Sequence, residues 1–333
     1  MDTTADRAAR TLLVVVGALV GAGLGILVFV VFPEGNLARL LGALLTLGAA
    51  VLGLRFAGNI AHSAFAPYNV AKVAVEGPIA RRQGGRVPPR PVLATADDVV
   101  EQIERATEDE NARALVVELN TPGGEVVPSD DIRNAVAEFD GPTVAYATDT
   151  CASGGYWIAS GCDHIVAREG SIVGSIGVIA SRVTGEGLLE RLGLSYERLV
   201  AGEYKDAGTA LRSLDDEERE YLQDIVDDYY QTFVDRVEEG RDLDEETIRE
   251  TEARVFLGPE AAERGLVDRI GDEAAVEEYL ESHLGAPVAV EEFAPSVGLR
   301  TRLRMGAERT AYALGAGIAS VVADGPGSGL RFR

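Results

Sequence analysis

Residues that bind metals or form crosslinks are scarce in this chain of 333 residues, and each shortage excludes something. There are 2 cysteines, Cys151 and Cys162, and 3 histidines, His62, His164 and His283, scattered along the sequence. They do not make the ligand spacing of a structural zinc site. Two thiols are too few for a disulfide-stapled scaffold, and whether they pair depends on the fold bringing them together. Lysine is just as rare: of 31 basic residues, only Lys72 and Lys205 are lysines. The 54 carboxylates give a net charge of -23 and a pI near 4.5. Such a surface repels phosphate, which excludes a general nucleic-acid binder. Many carboxylates with almost no lysine is also the solvation pattern of proteins from salt-loving organisms. Where arginine carries nearly all the positive charge, a lysine is a clue to a place where the cation must lose its proton, which arginine cannot do.

Long apolar runs occur at the N-terminus. Residues 11–32 are uncharged and long enough to span a bilayer. A cleavable signal peptide would have a shorter apolar core with a small-residue cleavage site behind it, whereas this run stops at the turn Pro33-Glu34-Gly35-Asn36. A second apolar stretch, about 40–58, could cross back with Arg39 and Arg55 snorkelling. The expectation is an N-terminal tail over 1–10 and a transmembrane helical hairpin over 11–60, integral to the cell membrane. Asp2 and Asp6 beside Arg7 and Arg10 leave the side of the membrane open.

From residue 68 the pattern changes to alternating strands and helices. Strands are expected at 68–75, 114–119, 143–148, 164–167, 171–180, 196–200 and 288–293. Helices are expected at 96–108, around Ile132, Ala135, Val136 and Phe139, at 156–161, 188–192, 215–239 and 273–284. The long acidic helix over 215–239 would turn Tyr221, Leu222, Ile225, Val226, Tyr229 and Phe233 inward. Residues 81–91 form a Gly/Pro/Arg loop. This order predicts an α/β domain over 68–295, with a parallel sheet, crossover helices and ligands at the C-terminal ends of the strands. The tail over 296–333 places Arg300, Arg302, Arg304 and Arg309 before a short apolar run, suited to a membrane-surface helix or a disordered end.

Two of those strand ends hold glycine pairs: Asn120-Thr121-Pro122-Gly123-Gly124 and Cys151-Ala152-Ser153-Gly154-Gly155-Tyr156-Trp157. Ser153 reads either as a helix cap or as a nucleophile whose neighbouring glycines let a substrate backbone approach. The Gly154 amide could face a developing oxyanion. A nucleophile needs a base. His164, entering a strand, suits packing better, while Lys205 in the loop Gly202-Glu203-Tyr204-Lys205 is the stronger candidate, because a desolvated lysine gives up its proton near neutral pH. Trp157 and Tyr156 are expected to pack the core.

These motifs, with Gly174-Ser175-Ile176-Gly177-Val178 and Phe256-Leu257-Gly258…Gly265-Leu266-Val267-Asp268, resemble the signal peptide peptidase A family, S49-type serine peptidases, in an archaeal form. The resemblance covers roughly residues 70–295. It implies a fold similar to Clp protease and crotonase, Ser153 as nucleophile, Lys205 as general base and Ser175 hydrogen-bonded to that lysine. It also implies oxyanion donors near Gly123 or Gly124 together with Gly154. The chain around Ile176, Gly177 and Val178 would pair with an extended substrate. No metal or organic cofactor is implied. The implied partners are peptide substrates, chiefly cleaved signal peptides, the bilayer, and further copies of the chain in a homo-oligomer. Rival readings are general turnover of membrane proteins, a crotonase-like acyl-CoA enzyme, and an inactive membrane scaffold.

Overall fold

The computed structural model describes residues 4–31, 36–64, 67–81 and 94–295. Helix α1 (Thr4–Ile26) runs on into a π-helical turn (Leu27–Val31), and α2 (Asn36–Ala64) packs antiparallel to it. Small residues set their separation. Gly17, Gly21 and Gly25 recur every fourth position on α1 and face Ala57, Gly53, Ala49 and Thr46 of α2. A Cβ on Gly17 would stand 2.2 Å from that of Ala57, and one on Gly53 would stand 2.4 Å from the Gly17 carbonyl oxygen. Glycine there lets the backbones touch, so dispersion and close packing can hold two apolar helices together. Their outer surface stays apolar, with Leu19, Leu52 and Phe56 exposed. Thr11–Phe29 is long and apolar enough to cross a bilayer; Leu45–Gly58 is apolar but shorter. The expected turn between the two spans falls largely on residues 32–35, outside the described residues, as do residues 82–91 of the Gly/Pro/Arg loop and the tail from 296.

The α/β part begins with β1 (Val70–Glu76), α3 (Ala96–Thr107), β2 (Ala114–Thr121), α4 (Val126–Ala137), β3 (Thr143–Ala152) and α5 (Gly154–Ala159). It continues with β4 (His164–Ala167), β5 (Ile172–Gly174), α6 (Glu186–Arg191), α7 (Asp216–Gly240), α8 (Glu245–Glu250) and β6 (Val255–Leu257). Helix α9 (Gly258–Glu263), β7 (Arg269–Ile270), α10 (Glu273–Leu284) and β8 (Val290–Glu292) close it. The strands form one mixed sheet in the order β6-β5-β3-β2-β1-β8, parallel except where β6 runs against β5. Alternate residues bury opposite faces. Val73, Leu115, Val117, Leu119 and Ala145 belong to the larger core with α3, α4 and α5, while Val70, Val116, Val144 and Val166 pack with α10. Burial on both faces explains the apolar run Ala114–Val117 that opens β2.

The long strand β3 takes two neighbours in succession along one edge. Val144–Ala147 pairs with β4, and Thr150–Ala152 pairs with β5. The sheet therefore forks at the end of β3, and the serine follows directly.

Three expectations change. The strand over 171–180 is only Ile172–Gly174, because Ser175 at φ 53° turns the chain out of the sheet. Residues 196–200 form no strand; Leu199 is 95% exposed, so these apolar side chains find no core to alternate against. On α7, Phe233, Val234 and Val237 are buried, but Tyr221, Ile225 and Tyr229 lie open although they share the helical period.

Candidate active site

Ala152 and Gly174 are register partners, so Ser153 and Ser175 leave the sheet side by side. Both have φ 53°, a conformation costly for residues with a Cβ. The Ser153 amide donates to the Gly174 carbonyl at 2.9 Å, and the Ser153 carbonyl accepts the Trp157 amide at 2.9 Å. Held from both sides, Ser153 sits half-buried at a sharp strand-to-helix turn. It occupies the cap position of α5, yet its hydroxyl makes no capping hydrogen bond. That geometry favours the nucleophile over the cap, since strain held at a turn presents a side chain outward.

The glycine pair after β2 reaches the same point. A parallel bridge joins Ile79 to Gly124: the Ile79 amide donates to Gly123 at 3.0 Å and the Glu125 amide donates to Ile79 at 2.9 Å. A Cβ on Gly124 would meet the Ile79 carbonyl oxygen at 1.9 Å, and one on Gly123 would meet the Gly154 amide at 2.4 Å. The Gly123 amide, at φ 88°, donates to Thr121 Oγ1 at 3.0 Å, so it is not the oxyanion donor expected of it. The amides of Gly124 and Gly154 remain. A Cβ on Gly154 would lie 3.2 Å from the Gly124 nitrogen, which puts the two N–H groups close together beside Ser153. Two preorganised backbone donors next to a hydroxyl can hold the oxyanion of an acyl-transfer reaction.

A cavity of about 80 Å³ opens here, lined by Ser153, Gly154, Gly124, Val126, Ser129, Trp157, Gly177, Val178, Ile179 and Phe233. Gly177 and Val178 line this cavity with the serine, whereas the Ile176 side chain is fully buried in the core. Ser175 does not line the cavity, and its amide donates to Arg254 at 2.9 Å. Trp157, expected in the core, also forms a wall. Its indole N–H donates to Asp130 at 3.0 Å, and its ring lies 4.7 Å from that of Phe233. Val126, Ser129 and Phe233 were not foreseen as lining residues. Helical periodicity marks Phe233 as buried without saying against what.

The two lysines behave differently. Lys72 on β1 pairs with Glu118 at 3.0 Å. Burial opposes its charge, but the Glu118 carboxylate wins and holds its pKa above the ordinary value, the reverse of what a base needs. Lys205 is exposed, in a turn where its amide donates to Gly202 at 3.2 Å, and it does not line the cavity of its own chain. Among the described residues no hydrogen bond joins Ser153 to Lys205. His164 is no substitute, since it lies against Asp268 at 3.6 Å and stacks on Tyr279 at 4.0 Å, away from the cavity. Cys151 and Cys162 are both buried free thiols.

A serine at a strained turn, the amides of Gly124 and Gly154 and a small cavity with mixed polar and apolar walls meet at the end of a parallel sheet. Sequence comparison gives the family. Residues 138–286 match the family model of peptidase family S49, and the chain carries that domain. Synechocystis sp. has a protein named "Putative protease slr0021" that is 39% identical over 54% of this chain and 66% of its own length. The "Serine protease SPPA, chloroplastic" of Arabidopsis thaliana is 31% identical over 61% of this chain and 30% of its own length. The chain thus spans less than two thirds of either relative. A solved membrane-bound stomatin-specific protease, 1510-N, is 19% identical with a TM-score of 0.41, over 69% of this chain and 99% of that one.

Proposed function

We propose that this chain is a membrane-anchored serine endopeptidase in which Ser153 works with Lys205 supplied by a second copy. The observation that carries the reading is Ser153 itself, strained at φ 53° beside the open amides of Gly124 and Gly154. In this scheme neutral Lys205 takes the Ser153 proton as the oxygen attacks a peptide carbonyl. The two amides hold the oxyanion, and the ammonium returns the proton to the leaving amine. Water, deprotonated by the same amine, then releases the acyl group. The exposure of Lys205 supports delivery from a neighbouring subunit, and the apolar outer surface of α1 and α2 supports insertion in a bilayer. Relatives named as signal peptide peptidase and protease support cleaved signal peptides and other membrane-associated peptides as substrates.

The test is hydrolysis of a peptide amide by full-length Ser153→Ala and Lys205→Arg, each alone and then mixed. Each variant is expected to be inactive, and mixed assemblies are expected to regain part of the activity. Near-normal hydrolysis by Lys205→Arg would remove lysine as the base. Two dead variants that never complement each other would move the base into the same chain.

A further inference from the structure

The segment that carries Lys205 is built unlike the rest of the domain. Between residues 177 and 217 no hydrophobic side chain is buried, and Ile179, Val183, Leu188, Leu192, Leu194 and Leu199 are all more than half exposed. Hydrophobic burial therefore does not hold the turn at Lys205 in place. A chain of charges runs through it instead. Asp206, next to Lys205, accepts from Arg198 Nε at 2.6 Å, from Arg212 Nη2 at 3.2 Å and from the Tyr196 hydroxyl at 3.4 Å. The same Arg212 guanidinium donates to both carboxylate oxygens of Glu218, one of them at 2.6 Å. Glu218 in turn closes a capping box with Asp215 at the start of α7. Arg182 donates to the carbonyls of Thr209 and Arg212 from the other side.

Three of these charged side chains are largely covered. The side chains of Asp206, Arg212 and Glu218 are 13%, 19% and 3% exposed. Hydrogen bonds from Arg212 hold the carboxyls of Asp206 and Glu218 below their ordinary pKa values, although desolvation opposes this. Successive side chains of a tight turn diverge, so drawing residue 206 under the loop sends residue 205 outward. Only a planar guanidinium can grip two carboxylates at once in this way.

We propose that Arg212, by bridging Asp206 to Glu218, is the positioning residue that anchors the turn to α7 and directs Lys205 toward the Ser153 of a neighbouring copy. The proposal rests on the peptidase reading above. Arg212 and Asp206 touch no substrate; they act through the placement and the local field of the lysine.

The test measures kcat, KM and the pH profile of peptide-amide hydrolysis for full-length Arg212→Gln, Arg212→Lys and Asp206→Asn. A base displaced by roughly 1 Å loses about 100-fold in rate, so kcat should fall by that order while KM stays within about two-fold. Arg212→Lys should restore little, because one ammonium cannot reproduce the fork. The acidic limb of kcat/KM distinguishes positioning from mere folding. Arg212→Gln removes a positive charge near Lys205, leaving Glu218 without its arginine and Asp206 with Arg198 alone, and should move that limb to higher pH. Asp206→Asn removes a negative charge, leaving Arg198 without its carboxylate and Arg212 with Glu218 alone, and should move it to lower pH. The other charges around the turn, Glu203 on the loop and Asp215, Glu217 and Glu220 at the start of α7, are the same in both variants.

Opposite displacements with a lowered kcat establish the role. Displacement in one direction, or kcat within about two-fold of the unaltered chain, overturns it. If Arg212→Gln fails to assemble, Asp206→Asn and Arg212→Lys still give the kcat and the limb. Activity surviving in Ser153→Ala or Lys205→Arg would instead sink the pairing of Ser153 with Lys205 on which the proposal rests. If those two are dead while the Arg212 and Asp206 variants behave normally, only the positioning role falls.

Discussion

The stretch around Ser153 and the stretch around Lys205 carry the two halves of one proposed reaction and are made in opposite ways. Ser153 stands on the end of a buried strand, with Cys151, Tyr156 and Ile158 fully buried on either side and backbone hydrogen bonds on both faces. Lys205 stands in a segment whose apolar residues are exposed and whose fastenings are ion pairs. The first half is complete in a single chain. The second has apolar surface that stays exposed among the described residues. The largest effect should therefore come from disturbing the half that is already complete. Gly124→Ala drives a Cβ to within 1.9 Å of the Ile79 carbonyl oxygen, so the bridge that aims the Gly124 amide must shift. Loss of one oxyanion donor costs about 100- to 1000-fold in kcat. Measured hydrolysis by Gly124→Ala at near-normal kcat would show that the preformed half is not what sets the rate.

A smaller effect separates the halves by stability. Phe233 belongs to the core under the cavity, and truncating such a buried aromatic to alanine costs about 3–5 kcal/mol. Leu199 is nearly fully exposed, and Leu199→Ser should change the unfolding free energy of the chain by less than about 0.5 kcal/mol. The same change should weaken assembly if neighbouring copies cover this surface. Denaturant unfolding together with particle size in detergent tests both. A Leu199→Ser chain that loses stability but keeps its assembly would invert the comparison.

The same division explains what could be read from the sequence. Strand–helix alternation put the glycine pairs 123–124 and 154–155 at strand ends, because those features follow from local period and backbone freedom, whereas the roles given to Ser153 and Gly124 came from the family resemblance. The shared turn of Ser153 and Ser175 was not legible, since it depends on β5 joining the far half of β3. The strand expected over 196–200 failed for a related reason. Tyr196, Leu199 and Val200 look alike whether they meet a core or a partner, and only the fold shows that Leu199 meets no core among the described residues. Gly123 and Gly124 were indistinguishable by type, and the difference came from Thr121, whose hydroxyl takes one amide and leaves the other. The signal for close packing of α1 and α2 was present, in Gly17, Gly21 and Gly25 at four-residue spacing, but span length alone does not reveal it.

The smallest effect concerns acid. In the body of the domain His164 stacks on Tyr279 and has no partner for its Nε2. Burial lowers its pKa first of all; Arg241, Arg269 and His283 lower it further, and the carboxylate of Asp268 opposes them. A base whose folded pKa lies below its unfolded value of about 6.5 favours the neutral form on folding. Stability from this group is therefore complete above that value and falls as pH drops through it toward the lowered folded value. The carboxylates of the Lys205 segment respond later. Asp206 and Glu218 have pKa values depressed chiefly by hydrogen bonds from Arg212, so their contribution persists until pH falls below the ordinary carboxylate range. On acidification the buried half should weaken first and the ion-paired half second, the reverse of what exposure alone suggests. The melting temperature of the full chain should begin to fall just below pH 6.5, and His164→Gln should flatten that first step while leaving the later one. An unaltered first step in His164→Gln would assign it to another group and remove the histidine from the account.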